Sequence, residues 1–106
     1  MELNEYQKMA MITRKDWENK KEELIDVGLG ITGEAGEVSD LIKKYHSGVK
    51  ELDIENMKLE LGDVLWYVAE ACDALDITIE DVANMNIDKL KSRHGDKFSG
   101  FGDRKC

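Results

Sequence analysis

Residues 54–75, IENMKLELGDVLWYVAEACDAL, decide the fold. Ile54, Met57, Leu61, Val64, Leu65, Val68, Cys72 and Leu75 recur at helical intervals and form one apolar stripe. Asp53 immediately precedes the stripe and is suited to cap a helix N-terminus. The spacing predicts a helix from there to about Ala74.

Upstream, residues 19–46 read as a second, longer helix. Leu24, Val27, Ile31, Val38, Leu41, Ile42 and Tyr45 fall on one side of it. Gly28, Gly30, Gly33 and Gly36 interrupt its middle, each costing about 1 kcal/mol relative to Ala. The apolar period continues through them, so the stretch is read as helix, with residues 47–53 as the connection. A first helix is expected from Leu3 to Asp16, with Tyr6, Met9 and Ala10 on its inner side. Downstream, Thr78 is placed to cap a fourth helix carrying Ile79, Val82, Ala83, Ile87 and Leu90, with Asp81 at the capping-box position. Beyond His94 the chain reads HGDKFSGFGDRKC, an irregular tail.

The 106 residues contain no proline, and no alternating runs with turn punctuation suggest strands. The expected architecture is all-α: a single domain over residues 1–106, built as a four-helix bundle with residues 95–106 as tail. A chain this short buries a limited share of its surface, so the bundle is expected to complete its core by pairing with a copy of itself.

Acidic residues number 23 against 15 basic, for a formal net charge of −8. That balance argues against nucleic acid as a partner, because phosphate backbones require a basic footprint. It also argues against a polybasic membrane-surface module. No apolar run of spanning length and no targeting pattern is found, and a cytoplasmic location is expected. Two cysteines, Cys72 and Cys106, make neither a disulfide framework nor a cysteine-rich metal site.

On a wheel of about 100° per residue, Glu34 lies about 40° from the centre of the apolar face of the long helix, and Glu37 about 60° further round. Glu60 and Asp63 flank the stripe of the next helix with the same three-residue spacing. Antiparallel packing of the two helices lets all four carboxylates converge. Such a cluster repels itself and is costly to bury unless a cation joins it. An all-oxygen set without His or Cys suits Mg²⁺, with Mn²⁺ as a substitute. Gly30 and Gly33, on the side of Glu37, are expected to leave room for a ligand beside the metal. Carboxylates three apart are also common on solvated helix faces, which is the competing reading. Other metal scaffolds fail: Lys43 and Lys91, not Glu, stand three before His46 and His94, so the Glu-x-x-His motif is missing. The acidic segment 76–88 lacks the glycine of an EF-hand loop.

GLGITGEAGEVSDLIKK (residues 28–44) together with ELGDVLWYVAEA (residues 60–71) resembles the MazG-like nucleoside triphosphate pyrophosphohydrolases of the all-α NTP pyrophosphatase superfamily. The family pattern, E-x-x-E, a spacer, then E-x-x-D, is met by Glu34, Glu37, Glu60 and Asp63, with 22 residues between Glu37 and Glu60. EDVANMNIDKLKSR (residues 80–93) looks like the family's N-x-x-K-L-x-x-R segment, and NEYQKMAMITR and FSGFGDR look like the ends of short members. The resemblance implies an all-α fold and Mg²⁺-dependent hydrolysis of a nucleoside triphosphate to monophosphate and pyrophosphate, serving nucleotide-pool housecleaning. It also implies a homodimer or homotetramer.

By that analogy Glu34, Glu37, Glu60 and Asp63 hold the metal, and Glu37 is also assigned the general-base role. Asn86, Lys89 and Arg93 share one face of the fourth helix. They match the family segment and are the candidates for phosphate contact, together with Lys44. A solvated basic face near a helix C-terminus is the plain alternative. Trp66 is read as an interface residue or a stacking platform, Trp17 as a core plug, and Met9, Met11, Met57 and Met85 as core filler. Gln7 and Thr13 are candidates to face a nucleotide, and His46 and His94 are read as helix-end residues. The competing function is a non-catalytic helical interaction module or a metal-binding regulatory subunit.

Overall fold

The computed structural model describes residues 1–101. Four α-helices are present, α1 (Leu3–Ala10), α2 (Lys20–His46), α3 (Ile54–Ala74) and α4 (Ile79–His94), with 3₁₀ turns at Met11–Thr13 and Gly95–Phe98. No strand occurs among the described residues, and the fold is all-α. Part of the expected tail, residues 102–106, lies outside the described residues.

Side-chain caps set three helix starts. Asn19 accepts a hydrogen bond from Glu22 N at 2.9 Å, Asp53 from Asn56 N at 3.0 Å, and Thr78 from Asp81 N at 3.1 Å. Each satisfies one of the free amides of a first helical turn. α3 ends in a left-handed residue, Asp76 (φ 57°), and the Ile77 amide bonds back to Cys72 O at 2.9 Å. This is a Schellman-type stop with aspartate where glycine is usual.

The first helix is shorter than its sequence suggests. It passes into the 3₁₀ turn after Ala10, where the Thr13 hydroxyl donates to Ala10 O at 2.8 Å. Arg14 then adopts an extended backbone (φ −65°, ψ 138°). That conformation delivers its guanidinium to Glu23, an ion pair that a continued helix would forgo. α1 is fastened to the start of α4 by side chains. Gln7 donates to Ile77 O at 3.0 Å and accepts from Ile79 N at 2.8 Å, and Asn4 donates to Glu80 Oε2 at 3.0 Å. Gln7 is therefore a buried structural clamp, and this occupies both ends of its amide.

α2 runs unbroken through its glycines, because α3 packs antiparallel along it. Tertiary packing outweighs propensity here. The two long helices form a hairpin, and the hydrophobic core sits at one end of it. There Ala69, Cys72 and Ile79 are buried against Tyr6, Ala10, Met11 and Val68.

The bundle is not closed within one chain. Ile54, Leu61 and Leu65 of the α3 stripe are exposed, as are Ile25, Leu29 and Tyr45 of α2 and Val82, Met85 and Ile87 of α4. Met9 and Met85, expected as core filler, are 53% and 74% exposed. The radius of gyration is 16.9 Å, whereas a compact chain of this length has about 13 Å. α4 packs on α1 and the end of α3 and extends beyond them.

Two glycines of α2 behave oppositely. A Cβ on Gly30 would run into the ring of Tyr67, while one on Gly28 meets nothing within 4 Å. Gly30→Ala is expected to destabilise the fold by about 1–3 kcal/mol through overpacking. Gly28→Ala is expected to stabilise it by up to about 1 kcal/mol. Thermal melts of the two variants beside the parent check the opposite signs.

Candidate metal centre

Antiparallel packing fixes which residues of α2 and α3 meet. Gly30 lies against Tyr67. One helical turn further along α2, Glu34 meets Glu60 and Asp63 of α3. Carboxylate oxygens of Glu34, Glu60 and Asp63 lie within 4.8 Å of one another. Glu34 and Glu60 are half-buried and Asp63 is exposed, so the group opens to solvent on one side. Among the described residues, none of the three forms an ion pair with a lysine or arginine.

The electrostatics follow from that crowding. Partial burial pushes the Glu34 carboxyl above its ordinary value, and Asp63, Glu60 and Glu37 push it further. Three carboxyl groups facing one another, with no cationic side chain paired to them among the described residues, would suit a hard divalent cation. Two phenols border the group. Tyr6, from α1, and Tyr67 are both raised, chiefly by burial; Asp63 adds to the effect at both, and Asp26 and Glu34 also act on Tyr67.

Glu37 is one turn beyond Glu34 and exposed. It is close enough to act on Glu34 but lies outside the trio that converges. Gly30 does not leave the room expected of it, whereas a Cβ on Gly33 would meet nothing within 4 Å. Gly30 serves close approach instead: its missing side chain is filled by the Tyr67 ring.

The other candidates are dispersed. Lys44 pairs with Asp40 at 2.9 Å, one turn back on α2, and its ammonium is raised by Asp40 and, more weakly, by Glu37. Asn86 and Lys89 line a shallow groove on α4 with Val82 and Met85. Both are exposed, as is Arg93, and none of the three makes a side-chain hydrogen bond or ion pair within the described chain. Trp66 is an internal anchor: its indole N–H is shared between Ala10 O at 3.0 Å and Thr13 Oγ1 at 2.9 Å. That use of Thr13 ties α1 to α3 beside the site. Trp17 donates to Glu70 Oε2 at 3.1 Å.

With this geometry in view, comparison with known proteins is decisive. The model of the MazG nucleotide pyrophosphohydrolase domain matches residues 24–98. The chain belongs to this family. The matched segment contains all four motif carboxylates, and the sequence resemblance to MazG-like enzymes is thereby confirmed. A relative, the Gene 37 protein of Mycobacterium phage L5, is 35% identical over 84 residues, covering 74% of each chain. No solved structure matches the chain at a significant level. No helix of this MazG domain is long and apolar enough to cross a membrane among the described residues.

Sequence reasoning singled out the acidic set and passed over its neighbours. Asp63, Tyr67 and Glu70 are spaced four and three apart, on one face of α3. Glu23, Gly30 and Glu34 run down the opposing face of α2. The signal was present in the helical spacing, but a buried acid two turns from the motif has no motif of its own.

Binding of a divalent cation is expected to stabilise the fold. At ten times its dissociation constant such a cation would add about 1.4 kcal/mol, or roughly 5–10 °C in Tm for a domain of this size. Glu60→Gln should abolish most of that shift. Lowering the pH toward the ordinary carboxylate range should shrink it, because protons compete for the same oxygens. Thermal melts with and without Mg²⁺ at several pH values check this.

Proposed function

We propose that the protein is a Mg²⁺-dependent nucleoside triphosphate pyrophosphohydrolase that converts NTPs or dNTPs to monophosphate and pyrophosphate and clears the nucleotide pool. The observation that carries the reading is the convergence of Glu34, Glu60 and Asp63 between two packed helices. Membership of the MazG family supports it.

Glu34, Glu60 and Asp63, with Glu37 beside them, would hold the cation. When bound, Mg²⁺ supplies positive charge for the phosphate oxygens and electrophilic assistance at phosphorus, with Mn²⁺ as a substitute. A triphosphate carries about four negative charges and is repelled by a bare acidic cleft.

The chain's own groups then divide the remaining work. Glu37 is exposed and outside the tight trio, so it retains lone pairs to accept the proton of the attacking water as general base. The attack is at the α-phosphorus. The bond to the α–β bridging oxygen breaks and pyrophosphate departs. Asn86, Lys89, Arg93 and Lys44 offer amide, ammonium and guanidinium donors to phosphate oxygens. Lys44 must exchange its Asp40 contact to do so. The Tyr6 and Tyr67 phenols lie near enough to Asp63 to feel its charge.

The active form is inferred to be a homodimer, or a homotetramer assembled from dimers. The exposed apolar residues of α2, α3 and α4 and the open shape of the single chain support pairing. The activity is assigned to the cytoplasm, where nucleotide pools are hydrolysed, with no nucleic acid or membrane as partner.

Pyrophosphate release from a panel of NTPs and dNTPs, normal and damaged, tests this assignment. Release is expected with Mg²⁺ and not after its removal. Glu37→Gln is expected to lower kcat by about 10²–10⁴-fold while Tm in the absence of metal is unchanged. No release across the panel would replace this reading with that of a non-catalytic helical interaction module or a metal-binding regulatory subunit.

A further inference from the structure

About two helical turns from the metal centre, a second acidic group is held in the opposite way. Glu23 of α2 is 2% exposed and Glu70 of α3 is 1% exposed. Arg14 grips Glu23 with two bonds, Nε to Oε2 at 2.7 Å and Nη2 to Oε1 at 3.0 Å. Its Nε is also 3.7 Å from Asp73 Oδ2. Glu70 Oε2 accepts from the Trp17 indole, but Glu70 Oε1 is buried without a donor. Glu70 lies close enough to Glu23 for each carboxyl to act on the other.

An ionised Glu70 is a poor description of this arrangement. It would place a second anion beside Glu23, in a site sealed from water, with one oxygen unsatisfied. A single guanidinium would then face Glu23, Glu70 and Asp73. A proton on Oε1 would remove these difficulties, turning the orphan acceptor into a donor with the neighbouring Glu23 carboxylate as its acceptor.

We propose that Glu70 is a neutral carboxylic acid in the folded protein, donating its Oε1 proton to Glu23, and that Arg14, Glu23, Glu70 and Trp17 form a latch clasping residues 14–19 across the α2–α3 hairpin, which loosens when the proton is lost. The charged and titratable groups facing the latch are Arg14 from the connecting segment, Lys20, Glu23 and Asp26 from α2, and Tyr67 and Asp73 from α3. Burial pushes the Glu70 carboxyl up, the Trp17 N–H draws it partly back, and Glu23 and Asp26 push it up again. Glu23 is held low, first by its bonds to Arg14.

The two acids act on stability in different pH ranges. Glu70, raised in the fold, favours folding at acid pH, and that advantage is lost as pH rises from the ordinary carboxylate range through its raised value. Glu23, lowered in the fold, favours folding above the ordinary range and loses its contribution only as pH falls. The loosening on the alkaline side therefore belongs to Glu70.

Glu70→Gln tests the latch, since the amide keeps an acceptor for Trp17 and a donor for Glu23 but cannot ionise. Melts of the full chain from pH 5 to pH 9 are expected to coincide at the acid end. At the alkaline end the variant is expected to melt higher than the parent, because the amide cannot ionise. At pH 8.5, trypsin is expected to cut after Arg14 or Lys15 more slowly in the variant. Infrared spectra of the unaltered protein at pH 6 should show the C=O stretch of a protonated carboxyl, fading as pH rises; this arm stands even if the variant fails to fold. A variant that melts below the parent at every pH, equal cleavage, or no protonated-acid band would overturn the proposal.

Discussion

Mutual repulsion among carboxylates on the facing sides of α2 and α3 is the constraint on which this molecule turns. Hydrophobic packing alone would favour apolar residues along that seam. Instead the seam carries Glu23 opposite Glu70, then Gly30 opposite Tyr67, then Glu34 opposite Glu60 and Asp63. Each acidic step needs its own remedy. At the sealed end the remedy is a guanidinium, an indole N–H and the proposed shared proton. At the open end the described residues supply no internal cation, and the group is left suited to a divalent ion from solution.

The two ends are linked by what lies between them. Gly30 lets the Tyr67 ring fill the seam, and Trp66, edge-on to Tyr67 with ring centroids 5.1 Å apart, fastens that region to Ala10 and Thr13. α1 is in turn clamped to α4 by Gln7 and Asn4. Short polar contacts thus do much of the positioning in a chain whose buried apolar core is small. Such a chain leaves much of its helical surface for another molecule to cover, which agrees with the proposed oligomer.

The helices were legible because their signals are local. Periodicity and the caps at Asp53 and Thr78 need no distant partner to be read, and α2, α3 and α4 have nearly the expected bounds. The early end of α1 was not legible, because it depends on an ion pair between Arg14 and a residue on another helix. The E-x-x-E and E-x-x-D pairs pointed to three residues that do converge, because antiparallel packing of two amphipathic helices brings their facing flanks together. Glu37 differs in that its wheel position lies further from the seam. Glu70 went unread: one buried acid inside an apolar stripe is indistinguishable in sequence from a solvated one at the stripe's edge. The roles of Asn86, Lys89 and Arg93 depend on what approaches α4 from outside the chain, which no spacing encodes.

The account rests on acidic side chains from α2 and α3 enclosing one metal-binding locus. Anomalous scattering from crystals grown with Mn²⁺ tests it most directly. The expected result is a strong peak among the carboxylates of Glu34, Glu60 and Asp63, absent from crystals of Glu60→Gln. Well-ordered crystals in which those three side chains point into solvent, with no peak between them at millimolar Mn²⁺, would contradict it.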